Sequence, residues 1–298
     1  METITITPDL SLIHKPITEI FEIPTNSFEW DKYRLSREQI EFYKTNGYLS
    51  GIKILNDDQI SILKNELTEL FDINHPGNNL FHEFHSNQSA DPSKVIFHAL
   101  GHWRITPGFH DLWWNPYYVM AASQLLGGPI RLWHDQLFCK PAHHGGVVAW
   151  HQDYSYWTRT RPMQHLTCWC GLDNADISNG CLYYVPGSHN WDLLDMPDLT
   201  GDMNGIFRFL NKEQTKQFNP IPIELKAGFA SFHHPLLVHG SYENKTDRQR
   251  RAFVLNCFKD GVVSDESKEL LKGVPIIPKG KPMEGQFFPK LSPDYFNV

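Results

Sequence analysis

His151 and Asp153 stand two positions apart in the run Trp150-His151-Gln152-Asp153, and His239 and Arg250 follow far downstream. Two imidazoles and one carboxylate can occupy one face of an octahedral metal and leave the other face open, a set that suits non-haem Fe(II). The spacing fits a strand, in which residues i and i+2 point to the same side. His151 and Asp153 then share a face, and Gln152 takes the other. A His-x-Asp pair by itself is common on surface strands, so the remote histidine and the arginine carry most of the weight.

The run Pro235-Leu236-Leu237-Val238-His239-Gly240-Ser241 reads as an apolar strand ending in a ligand, and residues 242–247 read as a turn. Residues 250–258 read as a returning strand, rich in residues that favour sheets. A hairpin of this kind brings Arg250 back to the metal. A guanidinium there can grip a carboxylate through two parallel hydrogen bonds, which a lysine cannot do. An open-faced iron beside an arginine suits a dicarboxylic keto acid, one end chelating the metal and the other pairing with the cation. Arg248 and Arg251 compete for this role. Alternation puts Arg250, Ala252, Val254 and Asn256 on one face and Arg251, Phe253 and Leu255 on the other, without saying which face is inward.

Five blocks stand in order: Trp150-His151-Gln152-Asp153, Thr167-Cys168-Trp169, Asn179-Gly180-Cys181-Leu182, Val185-Pro186-Gly187-Ser188-His189, and His239-Gly240-Ser241 followed by Arg250. In these blocks the chain resembles the phytanoyl-CoA hydroxylase family of Fe(II)/2-oxoglutarate dioxygenases, from roughly Leu35 to Phe258. The resemblance implies that His151, Asp153 and His239 bind iron and that Arg250 and Ser241 hold the distal carboxylate of 2-oxoglutarate. It implies that Trp169 and Thr167 belong to the cosubstrate pocket, and that Gln136 sits where relatives contact cosubstrate or substrate. It implies a double-stranded β-helix (jelly roll, cupin-like) braced by N-terminal helices, hence an α+β fold. The implied reaction uses O2 to hydroxylate a small molecule while 2-oxoglutarate is converted to succinate and CO2. In related halogenases a small residue replaces the aspartate; its presence here favours hydroxylation.

Plainer readings stand beside these. Ser241 can be a turn residue, and Trp169 can be core. Pro186-Gly187-Ser188-His189 reads as a structural turn. His143-His144, His165 and His233-His234 lie near the motifs without a convincing ligand spacing, and in a strand His134 shares a face with Gln136. Cys168 and Cys170 point to one side of a strand, and no second cysteine pair completes a zinc set.

With 298 residues, 41% of them apolar and 13% aromatic, the chain can bury one large core, and motifs spanning residues 136 to 250 argue for a single domain over 1–298. A net charge of −7 offers no basic footprint for nucleic acid. An odd count of five cysteines fits thiols in a reducing compartment. The start, Met1-Glu2-Thr3-Ile4-Thr5-Ile6-Thr7, does not read as a secretory leader, and no apolar run reaches the ~18 residues of a membrane span. A cytoplasmic protein with a small-molecule partner is the expectation, and the oligomeric state is open.

Residues 1–34 read as an arm packed on the body and 35–128 as mainly helical support. Ser36 with Gln39 opens a helix that ends at Asn46-Gly47, and Asn56 caps a second with Ile60, Leu63, Leu67 and Leu70 on one face. Residues 72–100 read as a long loop, and Asn115-Pro116 starts a helix closing at Gly127-Gly128. The jelly-roll core spans 129–258, with 190–220 as a candidate lid and 261–298 as an extended tail.

Two other classes use the same residues. A metal-dependent hydrolase would hold zinc and activate water, and a non-catalytic jelly roll would bind a metal or metabolite as a sensor. Aromatics Trp133, Phe138, Tyr154, Tyr156 and Trp157 suit an apolar or ring-bearing substrate and equally suit the core, and no phosphate loop or basic cluster points to a CoA thioester.

Overall fold

Ser36 and Asn56 each accept a hydrogen bond from the backbone three residues on, and Gln39 and Gln59 return one to the amide of the cap. These reciprocal pairs satisfy orphan amides and start the helices Arg37–Asn46 and Asp57–Leu70. Gly47, at φ 80°, ends the first in the left-handed region that a side chain would resist. Ile60, Leu63, Leu67 and Leu70 of the second are buried. Asn115 caps the helix Pro116–Leu126, which closes at Gly127. In this computed structural model the described residues are 7–88, 91, 93–143, 146–195, 199 and 202–292.

Among the described residues thirteen strands stand in chain order. They are β1 (Tyr48–Lys53), β2 (Glu83–His85), β3 (Phe97–Leu100), β4 (Ile130–Lys140), β5 (Val148–His151), β6 (Thr160–Arg161) and β7 (His165–Gly171). The rest are β8 (Leu182–Tyr184), β9 (Ile221–Ile223), β10 (Phe229–His233), β11 (His239–Ser241), β12 (Arg250–Lys259) and β13 (Val263–Ser264). A seven-stranded sheet runs β1-β10-β7-β12-β4-β3-β2, and a four-stranded sheet runs β5-β11-β8-β9. Paired neighbours in both are antiparallel.

Strand alternation divides the large sheet into two faces. Phe253, Leu255 and Cys257 of β12, with Cys168 and Cys170 of β7, pack outward onto Leu63, Leu67, Trp113 and Tyr118 of the helical layer. Each large apolar side chain buried there contributes roughly 1.5–3 kcal/mol relative to exposure. Ala252, Val254 and Trp169 face inward, against Leu182 and Tyr184 of the small sheet. The result is an α+β double-stranded β-helix, braced by helices on the large sheet, with its interior between the sheets. All five cysteines are free and buried.

Three features differ from the sequence reading. β11 and β12 do not form a hairpin. β11 pairs with β5 and β8 in the small sheet, whereas β12 pairs with β4 and β7 in the large one. The link between them crosses from sheet to sheet, tied down by Asn244 Nδ2, which donates to Arg248 O (2.6 Å) and Pro141 O (3.0 Å). The strand carrying His239 is also shorter than 235–241, because Pro235–Val238 make the turn between sheets. Finally, residues 35–128 supply β1, β2 and β3 of the large sheet, the last two from the expected loop. Short edge strands carry too few residues to display a period.

The arm is anchored by Arg104 on Asp9 and by Asp111, which accepts from the amides of Ile17 and Thr18. Val262, Leu270, Val274, Met283 and Phe288 from the C-terminal segment cluster with Trp133 and Phe258. In segment 190–220, Trp191, Ile206 and Phe218 pack with Trp150 and Val238 on the small sheet; Gly201 lies outside the described residues. So do Met1–Ile6 and His144. Among the described residues no helix is long and apolar enough to cross a membrane.

Candidate metal centre and adjoining cavity

β5 ends at His151, so Asp153 lies just beyond the strand, at the head of a 3-10 turn. The expected sidedness survives because Gln152 stays extended (φ −112°, ψ 131°). Its side chain points away, donating to Leu236 O at 2.9 Å and accepting from Leu194 N at 2.8 Å. β11 sets His239 directly opposite His151. Upstream of it, Ser188 Oγ accepts from Val238 N at 2.8 Å, so the Pro-Gly-Ser-His turn buttresses the ligand strand.

Three side chains converge. Asp153 Oδ1 lies 3.4 Å from His151 Nε2 and 3.5 Å from His239 Nε2. His151 Nδ1 donates to Ala149 O (2.7 Å) and His239 Nδ1 to Leu237 O (2.9 Å). With Nδ1 protonated, each Nε2 lone pair faces the shared space, the tautomer a metal requires. Burial opposes a charge on Asp153, but the neighbouring imidazoles, His239 first and then His151 and His233, hold its pKa well below the usual range. Burial, reinforced by His151, pushes His239 well below an ordinary imidazole. An ionised carboxylate and a neutral imidazole are the forms that bind metal.

Arg250 opens β12 opposite Lys140, the last residue of β4, and both are buried. Burial lowers the Arg250 pKa to about 10. Its guanidinium carbon stands 5.4 Å from the Trp169 ring centroid, and among the described residues its Nε has no hydrogen-bond partner. Lys140 Nζ donates to Ser241 Oγ at 2.7 Å. Burial first, and then Arg250, depress the Lys140 pKa well below its usual value. The competing arginines are accounted for. Arg251 points outward, with Nε and Nη2 on the two oxygens of Asp173, each at 2.8 Å. Arg248 is exposed, 3.6 Å from Asp176.

One cavity of about 390 Å³ is lined by all eight residues singled out above: Gln136, His151, Asp153, Thr167, Trp169, His239, Ser241 and Arg250. Thr167 spends its hydroxyl on Asp153 Oδ2 (2.6 Å), and Gln136 Oε1 accepts from Asn256 Nδ2 at 3.2 Å. His98, Phe138, Tyr156, Trp157, Arg159 and Leu271 line the cavity as well. Tyr154 instead donates its hydroxyl to Thr160 O. Among the described residues neither ring nitrogen of His98 has a hydrogen-bond partner, and burial lowers its pKa to about 3. Glu83, His85 and His98 form the other group of possible metal donors among the described residues, but Glu83 and His85 are exposed.

Sequence reading missed Lys140, His98, His233 and the Leu270-Leu271 pair. His233 has no ligand spacing in the sequence, yet its Nε2 lies 3.1 Å from Asp153 Oδ2. The one available signal was alternation in β10, since its contact depends on the pairing of β10 with β7. Nothing in the sequence around Lys140 signals its burial, and the same holds for His98.

The fold and this site, with two imidazoles, one carboxylate and a buried arginine around one cavity, define an oxygenase of the iron- and 2-oxoglutarate-dependent class. Residues 43–252 match the family model described as phytanoyl-CoA dioxygenase (PhyH), and the chain belongs to that family. It is 28% identical over 253 residues to the phytanoyl-CoA dioxygenase of Arabidopsis thaliana, covering 74% of this chain and 88% of that one. It is 26% identical over 231 residues to the peroxisomal phytanoyl-CoA dioxygenase of Rattus norvegicus, covering 74% and 68%. Among solved structures, the fold is similar to the non-heme alpha ketoglutarate dependent epimerase SnoN from nogalamycin biosynthesis. The TM-score is 0.71 at 20% identity, over 90% of this chain and 100% of that one.

Proposed function

We propose that this chain is a single-domain hydroxylase of a small organic molecule, with Fe(II) held by His151, Asp153 and His239 and 2-oxoglutarate held by Arg250. The observation that carries this reading is the pair Arg250 and Lys140. Arg250 lines the cavity with the triad and Lys140 is buried beside it, and among the described residues neither forms an ion pair. A buried charge left unpaired costs several kcal/mol, so the site is built for an anionic ligand. A dicarboxylate answers both ends of the cavity at once.

Arg250 takes the distal carboxylate in a bidentate grip. Lys140 donates to Ser241 Oγ, which leaves that hydroxyl free to donate to the same carboxylate. Trp169 walls the cosubstrate and Gln136 bounds the substrate side. Thr167 serves the pocket through Asp153. Bound there, iron and 2-oxoglutarate supply the oxidative decarboxylation with O2 that provides the oxidant for substrate hydroxylation. The substrate lies among Phe138, Tyr156 and Trp157, with His98 free to bond its polar group. Trp191, Ile206 and Phe218 pack over the small sheet and Leu199 reaches the cavity, so this segment contributes to substrate choice and to exclusion of water. Buried free thiols suit the cytoplasm.

Formation of succinate from 2-oxoglutarate with Fe(II), ascorbate and oxygen, stimulated by one member of a metabolite panel, tests the reading. Turnover of esters or amides with zinc and without oxygen would replace it with a hydrolase. Binding without any turnover would leave a sensor.

A further inference from the structure

We propose that His233, acting with Thr167, holds Asp153 so that only one of its oxygens faces the metal position. The inference rests on the reading of His151, Asp153 and His239 as metal ligands. Asp153 uses its two oxygens differently: Oδ1 faces both ligand imidazoles, at 3.4 and 3.5 Å. Oδ2 faces the large sheet, where Thr167 Oγ1 donates at 2.6 Å and His233 Nε2 stands at 3.1 Å. A carboxylate only accepts, so the His233 nitrogen facing it carries the proton. Two donors on Oδ2 occupy the lone pairs that a second bond to a metal would need.

His233 is itself held in place. Its Nδ1 lies 3.0 Å from the Tyr184 hydroxyl, which also contacts Ser231 Oγ. Tyr184, Ser231 and His233 are all buried. In the register of β10 with β7, His233 lies opposite Thr167, so the sheet presents both donors side by side. Tyr184 lies on β8 opposite His239. The relay therefore ties the large sheet to the strand that carries a ligand. The His233 ring also stands 4.4 Å from that of His239, which limits rotation of either.

The consequence concerns open positions. Three ligand atoms leave three sites of an octahedron free, two for a chelating cosubstrate and one for oxygen. An aspartate binding through both oxygens would remove one of them. His233 is a positioning residue: it acts on the metal through Asp153.

Co(II) binding, followed by titration and by visible absorption with and without 2-oxoglutarate, tests this. All proteins carry His85→Ala, which removes the exposed Glu83-His85-His98 group as a competing cobalt site. His233→Leu is expected to weaken Co(II) binding about 10- to 100-fold, the range typical of lost partners of metal ligands, and to change the absorption bands. His233→Gln, whose amide reaches the same position, should restore most of both. Parental affinity and spectrum in a folded His233→Leu protein would overturn the proposal. If His233→Leu does not fold, Thr167→Val and Tyr184→Phe decide: unchanged cobalt spectra in both overturn it, and altered spectra at an unchanged melting temperature support it. His151→Ala separates the two readings. If it binds Co(II) like the parent, the triad is not the metal site and the proposal falls with it; if it loses Co(II) while His233→Leu does not, only the positioning role fails.

Discussion

Arg250 and Lys140 face each other across β12 and β4, buried side by side, with no carboxylate of the described residues in ion-pair range of either. Arg251, one residue along, points to the other face and is fully paired with Asp173. Neighbouring arginines of one strand thus meet opposite fates, and only one is available to a ligand.

That contrast predicts the effect of mutation on cosubstrate binding. Arg250→Lys should weaken 2-oxoglutarate binding by about 2–5 kcal/mol, because a single ammonium cannot reproduce two parallel bonds to a buried carboxylate. Arg251→Lys should leave it nearly unchanged. Calorimetric titration of 2-oxoglutarate into the Ni(II)-loaded proteins measures both. Equal losses at the two positions would contradict the assigned strand faces.

The ligand triad carries a second prediction. His151→Ala, Asp153→Ala and His239→Ala should each lose iron on purification and abolish oxygen-dependent succinate formation. Two remaining donors make a weak chelate. Metal analysis by mass spectrometry beside a turnover assay checks it, and three variants with parental iron content would refute the assignment.

Stability should fall steeply with acid. Burial lowers the pKa values of His98, His134 and His165 to about 3. Their folded-state values lie below the unfolded value of 6.5, so the unfolded chain binds the extra protons. The stability they preserve is complete above that value and is lost as pH falls from 6.5 towards about 3. Three protons correspond to a slope of about 4 kcal/mol per pH unit between roughly pH 6 and 4. His82 and His234, lowered to about 4, add to this slope and Asp135, raised to about 7, opposes it. Urea unfolding across this range should show a net loss of stability, and His98→Phe should reduce the slope by about 1.4 kcal/mol per pH unit, one proton's share.

Segment 190–220 gives the fourth prediction. Hydrogen exchange in the Ni(II) and 2-oxoglutarate complex should show added protection over 202–218 once a true substrate binds. A cover that closes on substrate gains hydrogen-bonded order. Strong protection already present without metal would mark a fixed brace on the small sheet, as the packing of Ile206 against Trp150 would permit.

Local chemistry made much of this protein legible. The caps at Ser36, Asn56 and Asn115, the burial of Ile60 through Leu70, and the two faces of β12 each depend on residues near one another in the chain. The ligand motif was legible for the same reason, since an extended Gln152 is enough to put His151 and Asp153 on one side. Pairing was not. Which sheet receives β11 and which receives β12 depends on contacts between distant strands, and alternation is identical in either case. The same limit hid His233, which meets Asp153 only because β10 lies against β7. It hid the burial of Lys140 beside Arg250 and the approach of His98 and Leu271 to the cavity. A residue's own sequence neighbours report its sidedness, while its partners across the fold are set by long-range packing that only the assembled sheets provide.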